Sequence, residues 1–187
     1  MDVIRNIPVL VWIFIFYYFV GDRLLPALGI NQVVLMDGGP LSGIMSLILA
    51  EPAKIPAFIS GAVALAVYEG AYITEIIRAG IQSIDKGQWE ASSGLGFSRA
   101  QQLRHVIFPQ ALRRVMPPLA GQFISTIKDS AIVSVISIQE LTFQGMELMA
   151  ATYLTFEVWI TVTLLYFLLT FSCSRLAGRL ELRLRKV

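Results

Sequence analysis

The chain has 187 residues, of which 56% are hydrophobic and 15% are charged, and its formal net charge is +2. Soluble domains average about 25% charged residues, so this composition excludes an ordinary soluble domain and places the chain in the membrane class. The single cysteine, Cys173, excludes an internal disulfide and a cysteine-rich metal site, and we interpret it as a packing residue.

Four apolar segments predict membrane-spanning helices, because a helix needs roughly 20 mostly apolar residues to cross a bilayer. The segments lie at about residues 8–28, 57–77, 115–138 and 158–174. A further apolar stretch at residues 41–50 is too short to span and is interpreted as a re-entrant, interfacial or loop helix. The sequence therefore predicts an all-α membrane protein with about four transmembrane helices in a single transmembrane domain, residues 1–187.

Lysine and arginine residues are distributed very unevenly between the two sides of these spans. With the N-terminus in the cytosol, twelve of them fall on the cytosolic side, two fall outside and Lys128 lies within a span. Cytosolic loops of membrane proteins carry the excess of positive charge. We therefore predict cytosolic N- and C-termini, outer loops at residues 21–56 and 139–157, and a cytosolic loop at residues 78–113.

Several ionisable residues lie within the predicted spans, where a charge costs at least a few kcal/mol and normally faces a bundle interior or a cavity. Glu69 lies deep in the second span, and we expect it either to contact the ammonium group of an amino acid or to pair with Lys128 across the bundle. Glu75 and Arg78 are three residues apart and can pair on one helical face. The candidates for a substrate path or a buried charge are Glu69, Tyr72, Gln122, Ser125, Lys128 and Asp129. Gln122, Ser125 and Thr126 offer uncharged groups that line the same cavity or bind neighbouring helices.

The cytosolic loop at residues 78–113 is predicted to form two short helices around a turn. Residues 88–93 can form one or two helical turns, and Gly94 and Gly96 allow a sharp turn after them. Ser98 can then cap a second helix that begins immediately after it. The predicted product is a compact cytosolic helix-turn-helix beneath the membrane.

Pro109 is expected to end the second helix, because the residue before a proline is disfavoured in the α conformation. The pattern of the loop by itself fits two interpretations. It suits a knob displayed to a cytosolic partner, and it suits equally an amphipathic segment on the bilayer surface. Trp89 fits either a docking anchor or an interfacial aromatic residue. The chain has a single histidine, His105, and one histidine alone excludes a histidine-based metal site. We interpret His105 as a surface residue.

The order of residues 88–97 (QWEASSGLGF) and 107–110 (IFPQ) resembles the coupling motif of bacterial ABC importer permeases. The residues that carry this motif are Gln88, Trp89, Glu90, Ala91, Ser92, Gly94, Leu95, Gly96 and Pro109. Further ordered matches resemble the polar amino-acid branch of these permeases, which handles histidine, glutamine, glutamate and arginine. They are residues 5–8 (RNIP), 72–81 (YITEIIRAGI), 109–113 (PQALR), 117–118 (PP), 122–125 (QFIS) and 128–130 (KDS).

The resemblance implies a transmembrane subunit of an ATP-driven importer of polar amino acids in the bacterial inner membrane, coupled to ATPase subunits through the loop around Glu90. The implied partners are ATP-binding cassette ATPase subunits that bind ATP and Mg²⁺, a second permease subunit, an extracytoplasmic amino-acid-binding protein and membrane lipid. The chain has no Gly-x-x-x-x-Gly-Lys-Ser/Thr phosphate loop, so we expect no ATP site, enzymatic activity, metal or cofactor of its own. Its few, interrupted cytosolic basic residues disfavour nucleic-acid binding.

The chain departs from the family pattern at three points. Ser92 stands where alanine is usual, and Phe108 stands where leucine is usual. The family also has a further span before residues 5–8, which is expected to be missing here. This last departure leaves open an alternative, a non-transporting membrane adaptor or scaffold that recruits a cytosolic partner through the same loop.

Overall fold

A computed structural model describes residues 2–27 and 54–185, and every regular element in these two ranges is helical. The predicted short apolar piece at residues 41–50 and most of the predicted outer loop at residues 21–56 lie outside the described residues. The α-helices are α1 (Asp2–Arg5), α2 (Val9–Phe16), α3 (Leu25–Ala27), α4 (Ile55–Gln82), α5 (Lys86–Gly94), α6 (Arg99–Gln102), α7 (Phe108–Asp129), α8 (Leu141–Thr152) and α9 (Thr155–Arg185). Wider π-helical turns follow α2 and α6, at Tyr17–Leu24 and Leu103–Ile107, and a 3-10 segment, Ser130–Ile136, follows α7.

Three of the described helices are long and apolar enough to cross a membrane, as the sequence predicts for its second, third and fourth spans. They are Ile55–Gln82, Arg99–Ile136 and Thr155–Arg179. The first predicted span contains a shorter apolar helix, Val9–Gly21. It is shorter than predicted because Asp22 and Arg23 interrupt the apolar run.

The described helices form two compact units, and the boundary between them falls within α4, the α7 region and α9. The first unit contains residues 2–68 and Asp129–Leu164. Its core is a cluster of Ile13, Ala64, Val133 and Ile136. The 3-10 segment packs closely on α4 because Gly61 has no side chain, and a Cβ there would lie 3.3 Å from Ile136 Cδ1.

The second unit contains Glu69–Lys128 and the chain from Leu165 onward. Its core is a cluster of Ile84, Ile107 and Ala111, against which Trp89 packs. The last turn of α4 approaches α7 so closely at Gly80 that a Cβ there would overlap Val115 Cγ2. The C-terminal end of α4, the short helix α5 and the start of α7 therefore form one packed body.

The chain does not break at Pro109, and the prediction that this residue ends the second cytosolic helix is wrong. Helical structure continues from Arg99 to Ile136 as one 38-residue run. Pro109 is the second residue of α7, where a missing N–H costs little, and the π-helical turn at Leu103–Ile107 precedes it. The wider turn leaves room for the pyrrolidine ring, so the helix is distorted locally and then continues.

The close contact at Gly80 predicts a large difference between two glycine substitutions in α4. Gly80→Ala should lower the thermal unfolding midpoint, because overpacking against buried Val115 typically costs about 1–3 kcal/mol. Gly70→Ala is the matched control, because no atom lies within 4 Å of a Cβ at that position. Alanine should be neutral there or stabilise the helix by up to about 1 kcal/mol.

The comparison is made on the purified protein in detergent, with Val115→Ala added to Gly80→Ala as the rescue. The added change should recover most of the loss by removing the overlapping methyl group. Equal midpoints for the two single variants would contradict the close contact.

Candidate functional site

Helix α5 carries most of the motif residues and begins at a cap that the sequence analysis missed. The Asp85 side chain accepts a hydrogen bond from the Gly87 backbone N–H at 2.6 Å, which caps the helix. Gly87 lies in the first turn of α5. An aspartate just before a helical stretch is a standard cap signal, so Asp85 was available to sequence reasoning.

The two sides of α5 face different surroundings. Trp89 is half-buried and packs on the core cluster of Ile84, Ile107 and Ala111. Ser92, three residues later, is 2% exposed, and its hydroxyl donates to the Trp89 carbonyl at 3.0 Å. These two residues hold α5 to its own chain.

The opposite side of α5 is open. Glu90, Ala91 and Gly94 are exposed, and Leu95, which follows the helix, has 76% of its surface exposed. A carboxylate, two very small residues and an exposed leucine are thus displayed together at one end of the second unit. Small residues let a partner surface approach the helix backbone closely, while the leucine supplies apolar area for it to cover.

The turn after α5 is built as the sequence predicts. Gly96 has a positive φ of 79°, a conformation that glycine adopts without steric cost. Ser98 caps α6: its Oγ accepts from the Gln101 N–H, and the Gln101 side chain accepts from the Ser98 N–H at 2.9 Å. Buried Gln102 also donates to the Phe97 carbonyl at 3.2 Å, which ties the turn to the start of the next helical run.

Two polar contacts join the α5 region to the base of α7. Gln110 Nε2 donates to Gln88 Oε1 at 3.1 Å and to the Val106 carbonyl at 2.9 Å. Arg114 Nη1 donates to the carbonyl of Ser83, just after α4, and to the Ser83 hydroxyl at 3.1 Å. The cation also suits the negative end of the α4 helix dipole. Gln88 therefore contacts its own chain, although the sequence analysis grouped it with the residues expected to face a partner.

A second cluster surrounds Glu69, which lies midway along α4 and is 5% exposed. Its Oε2 accepts a hydrogen bond from Gln122 Nε2 at 2.6 Å and lies 3.0 Å from Thr126 Oγ1. Gln122 and Thr126 are four residues apart on α7, so both point to the same side of that helix. The Thr126 hydroxyl also lies 2.9 Å from the Gln122 carbonyl, and its single proton can go to only one of the two acceptors.

The Glu69 carboxylate is only half satisfied by these neighbours. Its second oxygen, Oε1, is buried and has no hydrogen-bond partner among the described residues. Both donors to this carboxylate are neutral side chains, and no cation in the described part of the chain pairs with it. A buried carboxylate oxygen without a donor is costly, so this oxygen is a ready acceptor for a donor or cation from outside the chain.

The possible ion pair between Glu69 and Lys128 is not formed. Lys128 is exposed, and the helix geometry gives the reason. Two residues along an α-helix correspond to a rotation of about 200°, so Lys128 points away from the side on which Thr126 faces Glu69. The predicted pair of Glu75 and Arg78 is confirmed, with an N–O distance of 2.5 Å.

The other predicted residues of the membrane region are half-buried. Tyr72 lies about one turn after Glu69 on α4, and Ser125 precedes Thr126 on α7. Asp129 belongs to the first unit and closes α7. Of the six predicted residues, the structure thus brings Glu69 and Gln122 into direct contact, and it adds Thr126 to them.

Comparison with known proteins shows what this chain is similar to. Residues 1–186 match the family described as binding-protein-dependent transport system inner membrane component. A probable glutamine ABC transporter permease of Bacillus subtilis is 37% identical over 186 residues, which cover 100% of this chain and 73% of that protein. The glutamine transport system permease of Escherichia coli is 42% identical over 132 residues, 71% of this chain and 60% of that protein.

One more distant relative and one solved structure extend the comparison. The nopaline transport system permease of Agrobacterium fabrum is 32% identical over 174 residues, 93% of this chain and 65% of that protein. A chain in the crystal structure of an amino acid ABC transporter with histidines matches with a TM-score of 0.74 and 37% identity. The match covers 97% of this chain and 72% of that one.

The geometry around Glu69 predicts the outcome of a double-mutant cycle with Lys128. Breaking a buried ion pair typically costs about 3–5 kcal/mol and is repaired when both partners are replaced. Since Glu69 has no cationic partner within residues 2–27 and 54–185, Glu69→Gln should leave the thermal unfolding midpoint unchanged or higher. Lys128→Met should add its own effect independently.

The measured quantity is the coupling between the two substitutions in detergent-solubilised protein. Distant, independent sites add to within about 0.5 kcal/mol. A coupling of about 3 kcal/mol, with Lys128→Met rescuing a destabilised Glu69→Gln variant, would contradict the observed placement of Lys128.

Proposed function

The chain belongs to the family of binding-protein-dependent transport system inner membrane components, and on this premise we propose that it is the transmembrane subunit of an ATP-driven importer of polar amino acids. Named relatives are permeases for glutamine or for nopaline. Glutamine is an amino acid with a polar side chain, and nopaline is an amino-acid derivative. The bias of basic residues supports a bacterial inner-membrane location with cytosolic termini.

The open side of α5 is the surface we assign to the ATPase subunit. Glu90, Ala91, Gly94 and Leu95 are exposed together, while Trp89 and Ser92 fix the helix from behind. ATP and Mg²⁺ bind to that partner, because this chain lacks a phosphate-binding loop. A second permease subunit and an extracytoplasmic amino-acid-binding protein complete the proposed assembly.

The observation that carries the proposal for the substrate site is the half-satisfied carboxylate of Glu69. Gln122 and Thr126 orient Oε2, and buried Oε1 remains available as an acceptor. The α-ammonium group of an amino acid offers a positive charge and three donors, which compensate such a carboxylate at low dielectric. Glu69 therefore recognises a feature that all amino acids share, and selectivity among side chains is left to other groups.

Transport then requires that the site open to one side of the membrane at a time. ATP binding closes the two ATPase subunits, the two copies of α5 move together, and the membrane helices rock so that the Glu69 region changes its access. The free energy of ATP binding and hydrolysis is passed to this chain through α5, and the substrate is held at Glu69.

A reconstituted complex of the chain with its ATPase and binding protein tests this proposal. The wild-type complex should hydrolyse ATP faster in the presence of its amino acid and should accumulate that amino acid. Glu69→Gln should raise the apparent KM for uptake at least tenfold, which is the loss of about 1.4 kcal/mol of recognition energy. The amount of assembled complex should not change.

Glu75→Gln is the matched control, because Glu75 lies on the same helix and pairs at the surface with Arg78. Its apparent KM should equal that of the wild type. Uptake by Glu69→Gln with an unchanged KM would remove Glu69 from the substrate site. A wild-type complex in which the amino acid stimulates neither ATP hydrolysis nor uptake would favour the membrane adaptor instead.

Charge reversal at Glu90 tests the docking surface separately. Glu90→Lys should insert in the membrane normally, since its side chain is exposed, but should no longer retain the ATPase subunit on purification or transport substrate. Glu147→Lys, the same reversal at an exposed glutamate of α8, should retain the ATPase subunit fully. Normal retention and transport by Glu90→Lys would show that the partner docks elsewhere.

A further inference from the structure

A hydrogen bond between the side chains of Gln110 and Gln88 connects α7 to α5, and its donor and acceptor atoms can be assigned. Gln110 Nε2 lies 2.9 Å from the Val106 carbonyl, which is only an acceptor, so the group facing it must be the amide NH₂. The second hydrogen of the same nitrogen points to the Gln88 side chain at 3.1 Å. The atom of Gln88 that receives it is the carbonyl oxygen, so in this structure Gln110 on α7 is the donor and Gln88 on α5 is the acceptor.

This bond lies where the two sites of the molecule can communicate. Gln88 is in the first turn of α5, two residues before Glu90. Gln110 is in the first turn of α7, the helix that carries Gln122 and Thr126 to the Glu69 carboxylate. At 1.5 Å per residue, Gln122 lies about 18 Å along the helix from Gln110. All of these residues belong to the second unit.

The other contacts near α5 are of a different kind. Trp89 packs on Ile107 and Ala111, and apolar contacts have no preferred direction. Arg114 holds α7 to Ser83, which precedes α5 and is not part of it. Among the described residues, the hydrogen bond from Gln110 to Gln88 joins α5 itself to α7 and adds a directional contact to the apolar packing.

Two prolines lie on α7 between the bond and the Glu69 cluster. Pro117 and Pro118 have no N–H, so the carbonyls of Arg113 and Arg114 lose their usual partners four residues ahead. A helix bends most easily at such a point. The base of α7, held to α5 by Gln110, can thus tilt against the part of α7 that carries Gln122 and Thr126.

We propose that Gln88 and Gln110 are positioning residues for transport. The hydrogen bond between their side chains passes the displacement of α5 to α7, and so to Gln122 and Thr126 at the Glu69 carboxylate. The proposal rests on the transport function assigned above and names the contact by which the ATPase side controls the Glu69 side. Gln88 acts through Gln110 and is not a contact for the ATPase subunit. Its neighbour Glu90 keeps that role.

The donor role of Gln110 allows a test with two substitutions at that position. Gln110→Lys keeps a donor opposite Gln88 and the Val106 carbonyl and should preserve the hydrogen bond between the two side chains. Gln110→Leu has neither a donor nor an acceptor, so Gln88 cannot bind it in either orientation of its amide, and the hydrogen bond should be lost.

The reconstituted complex is assayed for substrate taken up per ATP hydrolysed. Gln110→Leu should lower this ratio about fivefold, the factor expected for one neutral hydrogen bond. The amount of assembled complex and the apparent KM should stay at wild-type values, because Glu69 and its donors are intact. Gln110→Lys should keep most of the wild-type ratio, because its ammonium group supplies the donor that Gln88 and the Val106 carbonyl accept.

Gln144→Leu is the control, because it makes the same change at an exposed glutamine of α8. An unchanged ratio in Gln110→Leu overturns the proposal, and so does an equal loss in Gln110→Lys, which would indicate an effect of any change at this position. If the wild-type complex transports but the Gln110 variants do not behave as expected, the positioning role is wrong and the transport function stands. If the wild-type complex neither transports nor responds to substrate, the transport function fails and the positioning role fails with it.

Discussion

A carboxylate in the middle of a membrane-spanning helix has to be compensated by its neighbours, and the arrangement of α4 and α7 follows from that requirement. Gln122 and Thr126 reach Glu69 only when the two helices meet in one register. The same register is fixed eleven residues further along α4, where Gly80 lets the backbone approach Val115. One polar and one steric contact thus hold the helix pair, and neither would form if α7 were displaced by one residue.

The division of α5 into two sides explains how a short helix can be both rigid and available. Trp89 and Ser92 bury one side in the chain, and Gln88 is bound by Gln110. The small residues and the carboxylate on the other side remain exposed. A partner that moves this surface therefore moves the base of α7 with it, because the buried side leaves the helix little freedom to turn by itself.

The sequence predicted the parts of this fold that depend on composition and on local chemistry. Hydropathy located three of the spanning helices, and the Ser98 cap and the Gly96 turn follow from backbone preferences that are local. Prediction from the sequence failed where the conformation of a neighbouring turn, or the rotation of a residue about a helix axis, decides which contacts form. Pro109 was expected to break a helix, but a wider turn just before it accommodates the ring. Lys128 was a plausible partner for Glu69 until the direction of its side chain on α7 was known.

The Thr126 hydroxyl can change the number of hydrogen bonds that the Glu69 carboxylate accepts, and this change needs no movement of a helix. Its hydroxyl has one proton and two acceptors within about 3 Å, Glu69 Oε2 and the carbonyl of Gln122. When the proton turns to the carbonyl, Glu69 keeps a single donor and attracts a cation more strongly. When it turns back, the negative charge is better screened. Rotation of a hydroxyl takes picoseconds to nanoseconds, whereas collective movements of helices take microseconds to milliseconds. The attraction of Glu69 for a cationic group therefore equilibrates many times during one collective movement of the helices.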